Sequence, residues 1–511
     1  MKKRRFIPMV CMLLSIALLA ACSGTKESST QATQQAKKEL TFLFNFASQT
    51  VDPSLDYTPL RAGVVETLVK LDENVKIQPW LATQWSSKDG QNWEFQIRNG
   101  VTFQNGKKLT AETVKQSLER SIELNPGVKQ VLRIKSMKAS GQTLRVVTEE
   151  SFPQFPSELV HPNTAILDTE AADPDKKPIG TGPFQVESFT AGTSLKLARY
   201  DGYWSGAAKL DRAVFAFNED ANARLSAILS GDADIVYRPP VESMDKMKQD
   251  AQLRLDSVVS LRTHELIFNT KKPLLQNEKV RKAFDALVNR EELKDAIMGG
   301  QATVAQGPFL PDFPFVPKYP TRKTGAEEAL KWFKEAGLQV DNGKVTQNGR
   351  PLTLKLVTYA SRAEFPIFSQ ALQSEAKQLG ITLQIEQVEN YEDYLMNDTT
   401  WDLGMYSPLI APRGDASYFL NVSFLPDGTL NYGKINDELL NKWIYQLDQT
   451  VDTAKRNELI AQALTRINDQ TYYSYMVHPN TLVVYKDNVK NWVTSKSEYY
   501  MLTNQLDVEA K

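Results

Sequence analysis

The stretch FSQALQSEAKQLGITLQIEQV (Phe368–Val388) changes its hydrophobic period midway. Apolar positions recur every three to four residues as far as Leu379, Gly380 follows, and then apolar and polar residues alternate from Ile381 to Glu386. The first period specifies a helix and the second a strand, and glycine tolerates the left-handed backbone that ends a helix. A helix that passes through a glycine into a strand is a common α/β unit, and it sets the expected fold class. LTFLF (Leu40–Phe44) reads as a strand entering the fold. NWEFQIRNGVTFQNGKKL (Asn92–Leu109) alternates and breaks at Asn99-Gly100 and Asn105-Gly106, as hairpins do. TAETVKQSLERSI (Thr110–Ile122) predicts a helix capped by Thr110, with Val114, Leu118 and Ile122 on one face. KVRKAFDALVNREELKDAIM (Lys279–Met298) predicts another. No repeat of solenoid period is present.

The N-terminus, MKKRRFIPMVCMLLSIALLAAC, has a basic head and an apolar run that ends in Leu19-Ala20-Ala21-Cys22. This is the pattern of a secretory signal peptide, residues 1–21, and the small residues before Cys22 match a bacterial lipobox, so Cys22 is the expected lipidation site. Cys11 and Cys22 are the only cysteines of the chain. Once the signal is removed and Cys22 carries lipid, no disulfide remains, and stability must come from the core. The Ser/Thr/Gln-rich stretch that follows, to residue 38, reads as a tether with a reach on the order of 20–25 Å. The working part is thus expected outside the cytoplasm, anchored to the cell membrane rather than spanning it.

At 511 residues the chain has room for two or three domains, and its formal charge of −1, without a basic stripe, argues against a nucleic-acid partner. There is no HExxH, P-loop or GxSxG motif and no cysteine nucleophile, so a binder is expected rather than an enzyme. Acids such as Glu219-Asp220 and Asp232/Asp234 read as caps and loop ends.

Several segments in order carry a resemblance: Pro79–Leu118, Ile179–Trp204, Ala227–Val236 and Leu266–Leu293. Together they resemble family 5 bacterial extracytoplasmic solute-binding proteins, the receptor subunits of peptide and nickel ABC importers. The resemblance implies an α/β fold of two lobes with mixed sheets, a ligand cleft between them and an extra subdomain in the first lobe, about 75–180. Lobe I would span 39–265, lobe II 266–475, and 476–511 would return to lobe I. It also implies an ABC permease and its ATPase as partners, a monomeric receptor, and capture by hinged closure on the ligand.

The pentapeptide VHPNT occurs twice, at Val160–Thr164 and Val477–Thr481, and holds two of the three histidines. Either Pro-Asn turn chemistry accounts for both, or His161 and His478 bring two imidazoles to one cleft as ligands for Ni²⁺, Cu²⁺ or Zn²⁺. His161-Pro162 stands where nickel-type members of the resembled family often have an arginine that pairs with chelator carboxylates. His264 alternates with Leu266 and Phe268 and reads as a strand residue. The segment WDLGMYSPLIAPRGDASYFLN (Trp401–Asn421) resembles the family's pocket loop, with Asp415 in the place of its aspartate. The ammonium-binding acid of dipeptide receptors is missing at Ile410–Pro412, and Ser407-Pro408 falls near a chelator-binding arginine of some nickel members. Arg413 is a candidate carboxylate clamp, Tyr406, Tyr475 and Trp401 are candidate aromatic walls, and Asp415 is a candidate brace.

The expected cargo is therefore Ni²⁺ or a nickel chelate, for example nickel with histidine, carried as transported ligand and not as a catalytic cofactor. An oligopeptide or dipeptide receptor is the alternative, and a lipoprotein that signals or chaperones is a third reading.

Overall fold

The computed structural model describes residues 37–509. The predicted signal peptide, Cys22 and nearly all of the tether lie outside them. No helix among the described residues is long and apolar enough to cross a membrane.

One continuous sheet runs through two lobes. In lobe I, Glu39–Phe44 lies parallel to both Arg212–Phe217 and Ile235–Tyr237, and Ser194–Arg199 and Phe184–Thr190 extend the sheet antiparallel. In lobe II, Thr353–Thr358 lies parallel to Thr382–Gln387 and to Leu403–Tyr406, which pairs antiparallel with His264–Phe268. The long strand Tyr473–Lys486 belongs to both. Its first half pairs with His264–Phe268, and its second half with Leu253–Val259 and Ile235–Tyr237. This strand and the link Ser260–Thr263 carry the chain between lobes.

The helix–glycine–strand unit appears as predicted: helix Glu364–Gln378, Gly380 at φ +76°, strand Thr382–Gln387. Thr110 caps helix Ala111–Leu124, accepting from the Thr113 amide at 3.2 Å while the Thr113 hydroxyl accepts from the Thr110 amide at 3.0 Å. Two expectations are corrected. Asn92–Ile97 pairs with Ala82–Ser87 and Thr143–Thr148 in a separate four-stranded sheet, while the rest of the expected hairpin makes only a bridge between Thr102 and Lys108. The helix expected over Lys279–Met298 breaks after Leu287, because the Asn289 side chain accepts from the Glu292 amide and starts a new turn.

The apolar core of the four-stranded sheet (Phe95, Leu144) is continuous with that of lobe II helices Ser417–Phe424 and Glu438–Gln449 (Phe419, Ile444), so the two lobes are closed on each other. Across the same contact the Arg133 guanidinium donates to Asp448 at 2.9 Å.

Candidate functional site

In α/β sheets, ligands bind beyond the carboxyl ends of parallel strands, where loops diverge and backbone groups are free. Here those ends face each other across the lobes. Phe46 follows Glu39–Phe44, Tyr359–Arg362 follow Thr353–Thr358, Asn390–Asp393 follow Thr382–Gln387, and Ser407–Leu409 follow Leu403–Tyr406. With segments around Tyr57, His161, Tyr418 and Glu498 they enclose a cavity of about 570 Å³.

A charged network forms its floor. Arg262, on the inter-lobe link, donates from Nε and Nη2 to the two oxygens of Glu498 at 2.9 and 3.0 Å, and from Nη1 to the Ser407 carbonyl at 2.8 Å. Arg238 reaches the same carboxylate at 3.1 Å. Glu498 and Arg238 both sit in left-handed backbone, at φ 63° and 50°, a local cost that fits two side chains forced to meet. Burial alone would raise the Glu498 carboxyl, but the guanidinium groups of Arg262 and Arg238 outweigh it and hold it well below the usual carboxylate range. Glu364 is held down in the same way, by the His264 hydrogen bond and the charges of Arg362 and Arg238. His264 Nε2 meets Glu364 at 2.8 Å and Nδ1 meets the Ser407 hydroxyl at 3.0 Å, so this strand histidine is bound within the network.

A third guanidinium, Arg362, is 4% exposed and lines the cavity; its charge is felt by Glu364 and Glu498, but its buried Nη1 has no hydrogen-bond partner among the described residues. Burial and the like charges of Arg238 and Arg262 push Arg362 down to about 10, which keeps it cationic at neutral pH.

The two VHPNT copies adopt different structures. At the first, Pro162–Thr164 forms a 3₁₀ turn, and His161 lines the cavity. Its Nδ1 accepts from the Asn163 amide at 3.3 Å, and its Nε2 meets the Tyr57 hydroxyl at 2.9 Å. At the second, the same residues lie inside strand Tyr473–Lys486, where His478 pairs with Thr303. Proline is tolerated there because the strand changes partners at that point, from one half-sheet to the other. His478 is 1% exposed, lies outside the cavity lining, and donates from Nδ1 to the Arg262 carbonyl at 3.3 Å. The two imidazoles therefore do not share the cavity. Among the described residues no group of three or more His, Cys, Asp and Glu side chains is placed to hold a metal ion.

Burial pushes His478 down to about 4, below its ordinary value near 6.5. The unfolded state binds the proton more readily, so stability falls as pH falls. The contribution, about 3 kcal/mol, is complete above pH ~6.5 and lost by pH ~4. Urea unfolding at pH 7 and pH 5 should show this loss, and His478→Asn should have a shallower pH dependence.

Arg413 also departs from expectation. It is 2% exposed, ion-paired with Glu158 across the lobes, and stacked over the Tyr418 ring at 3.9 Å, so an internal carboxylate occupies the proposed clamp. Glu158→Gln is expected to cost about 3–5 kcal/mol by leaving this guanidinium buried and unpaired. The double variant Glu158→Gln/Arg413→Met should recover most of that in a denaturant titration. Asp415 braces the loop, accepting from Arg456 at 3.1 Å and from the Ser417 amide at 2.6 Å. Tyr406 does line the cavity and donates to Glu392 at 2.9 Å, whereas Trp401 and Tyr475 are core residues. The residues missed from sequence are Tyr57, Arg61, Arg262, Arg362, Glu392 and Glu498. Arg362 and Glu392 were findable, because each follows a parallel strand.

A sheet shared by two lobes, with a charged cavity where their strand ends meet, defines a two-lobed solute-binding protein. The chain belongs to the bacterial extracellular solute-binding proteins, family 5, whose middle region matches residues 76–431. It is similar to a nickel ABC transporter protein from Bacillus halodurans of solved structure, at 47% identity and a TM-score of 0.76, covering 92% of this chain and 100% of that one. NikA from Staphylococcus aureus, solved in complex with Ni(L-His)2, gives 30% identity and a TM-score of 0.85, again covering 92% and 100%. The nickel-binding periplasmic protein of Escherichia coli is 25% identical over 466 residues, 85% of this chain and 88% of that one.

Proposed function

We propose that the cargo is nickel carried by a small amino-acid chelator such as histidine, and that the closed protein delivers it to an ABC permease and its ATPase. The observation that carries this reading is Arg362: a buried guanidinium on the cavity wall whose Nη1 has no hydrogen-bond partner among the described residues is placed to take an anionic group from the ligand. A chelate supplies a carboxylate for the arginine and the donors for the metal, which suits a cavity without a protein ligand cluster. The solved relative with Ni(L-His)2 supports the same choice. In this reading the protein works outside the cytoplasm, held to the membrane by lipid on Cys22, as a monomer that binds and does not catalyse.

Calorimetric titration of metal-stripped protein tests the cargo. Ni²⁺ with L-histidine should bind far more tightly than Ni²⁺ alone, and mixed short peptides should give no heat. Tight peptide binding without a nickel response would make the protein a peptide receptor.

A further inference from the structure

The cavity wall contains a second set of donors without acceptors among the described residues. Tyr57 and Arg61 bracket the short helix Thr58–Arg61, which Gly63 seats against the C-terminal segment. Gly63 has φ +68°, and a side chain there would collide with the Leu502 carbonyl. Arg61 donates from Nε to the Glu498 carbonyl at 3.0 Å and lies against the Tyr57 ring at 5.4 Å, and its Nη nitrogens have no partner among the described residues.

The hydrogen-bond roles at His161 follow from one obligate donor. The Asn163 amide can only donate, so Nδ1 carries the lone pair and the proton sits on Nε2. Nε2–H then donates to the Tyr57 oxygen at 2.9 Å, and the Tyr57 hydrogen must point elsewhere. No acceptor for it exists among the described residues. Burial raises the Tyr57 phenol, so it keeps this hydrogen, and burial pushes His161 down to about 4, so it stays neutral.

We propose that Tyr57 and Arg61 form a carboxylate-binding subsite for the chelator, and that His161 is its positioning residue rather than a metal ligand. Nδ1 is engaged by the backbone and Nε2 carries a proton, so neither nitrogen offers the metal a lone pair. His161 orients the Tyr57 hydroxyl toward a carboxylate, with Arg61 supplying the charge. This rests on the nickel–chelate reading above and names the part of the cavity that recognises the chelator.

The test compares Ni²⁺ with L-histidine and Ni²⁺ with histamine, which lacks the carboxylate, on wild type, Tyr57→Phe, His161→Gln and His161→Leu. Wild type should prefer the histidine complex, and Tyr57→Phe should lose about tenfold or more of that affinity while binding the histamine complex unchanged. His161→Gln, which keeps an N–H near Nε2, should retain most of the preference. His161→Leu should lose it, with the d–d absorption of bound nickel the same in both variants. Weaker binding of both complexes by His161→Gln, with a shifted d–d band for the nickel that still binds at high concentration, would make the imidazole a ligand and overturn the inference. Equal wild-type affinity for the two complexes would overturn it while leaving nickel as cargo. Wild-type binding of neither would remove the cargo reading and this inference with it.

Discussion

Arg362→Met is expected to weaken binding of the nickel–histidine complex by about 30-fold or more, the loss typical when one partner of a buried charge pair is removed. The same substitution should leave the unfolding midpoint of the ligand-free protein unchanged or raise it. Arg362 is buried and cationic without a directly paired carboxylate, and the like charges of Arg238 and Arg262 add to its desolvation, so the ligand-free state bears a cost that the more distant Glu364 only partly offsets. A structural arginine would behave in the opposite way, with stability falling and affinity following it. The signs of the two measurements, taken together, therefore distinguish a ligand-seeking charge from a packing residue. Calorimetry gives the first and thermal unfolding the second.

Glu498→Gln should do the reverse to stability. Its carboxylate is shared by Arg262 and Arg238, and removing its charge leaves neighbouring guanidinium groups repelling one another at the inter-lobe link. The expected cost is about 3–5 kcal/mol, the range for breaking a buried pair on one side. The pH dependence has a definite sign. Because the folded carboxyl titrates below its unfolded value near 4.5, this contribution is present above that pH and is lost as pH falls through the depressed folded value. The wild-type protein should thus lose stability steeply in acid, and the variant should start lower and fall less. Equal stability of the two proteins at neutral pH would mean that the network does not hold the lobes in place.

Local periodicity made the α/β class legible. Gly380 ends its helix where the change of period placed the stop, and Thr110 caps where a hydroxyl precedes an amphipathic run. The cavity was less legible, because its groups come from separate strand ends and from the C-terminal segment, and only the tertiary fold brings Tyr57, Arg362 and Glu498 together. The duplicated VHPNT shows the limit most directly. The same five residues form a 3₁₀ turn at His161, where a helix has just ended, and a strand at His478, where neighbouring strands supply the hydrogen bonds. Tertiary partners override local turn chemistry at the second copy, so sequence identity between the two did not carry over into shared geometry. Arg413 misled for a related reason: its carboxylate partner, Glu158, is far away in the sequence and lies in the other lobe.

The composition of the loaded protein shows directly whether the metal is held through a chelator. Metal-stripped protein is incubated with Ni²⁺ and L-histidine, freed of small molecules by gel filtration, and assayed for both in the protein fraction. Histidine should accompany every nickel, because the cavity holds the metal through its chelator. Nickel retained without histidine would contradict this, and would require the protein's own side chains to complete the coordination.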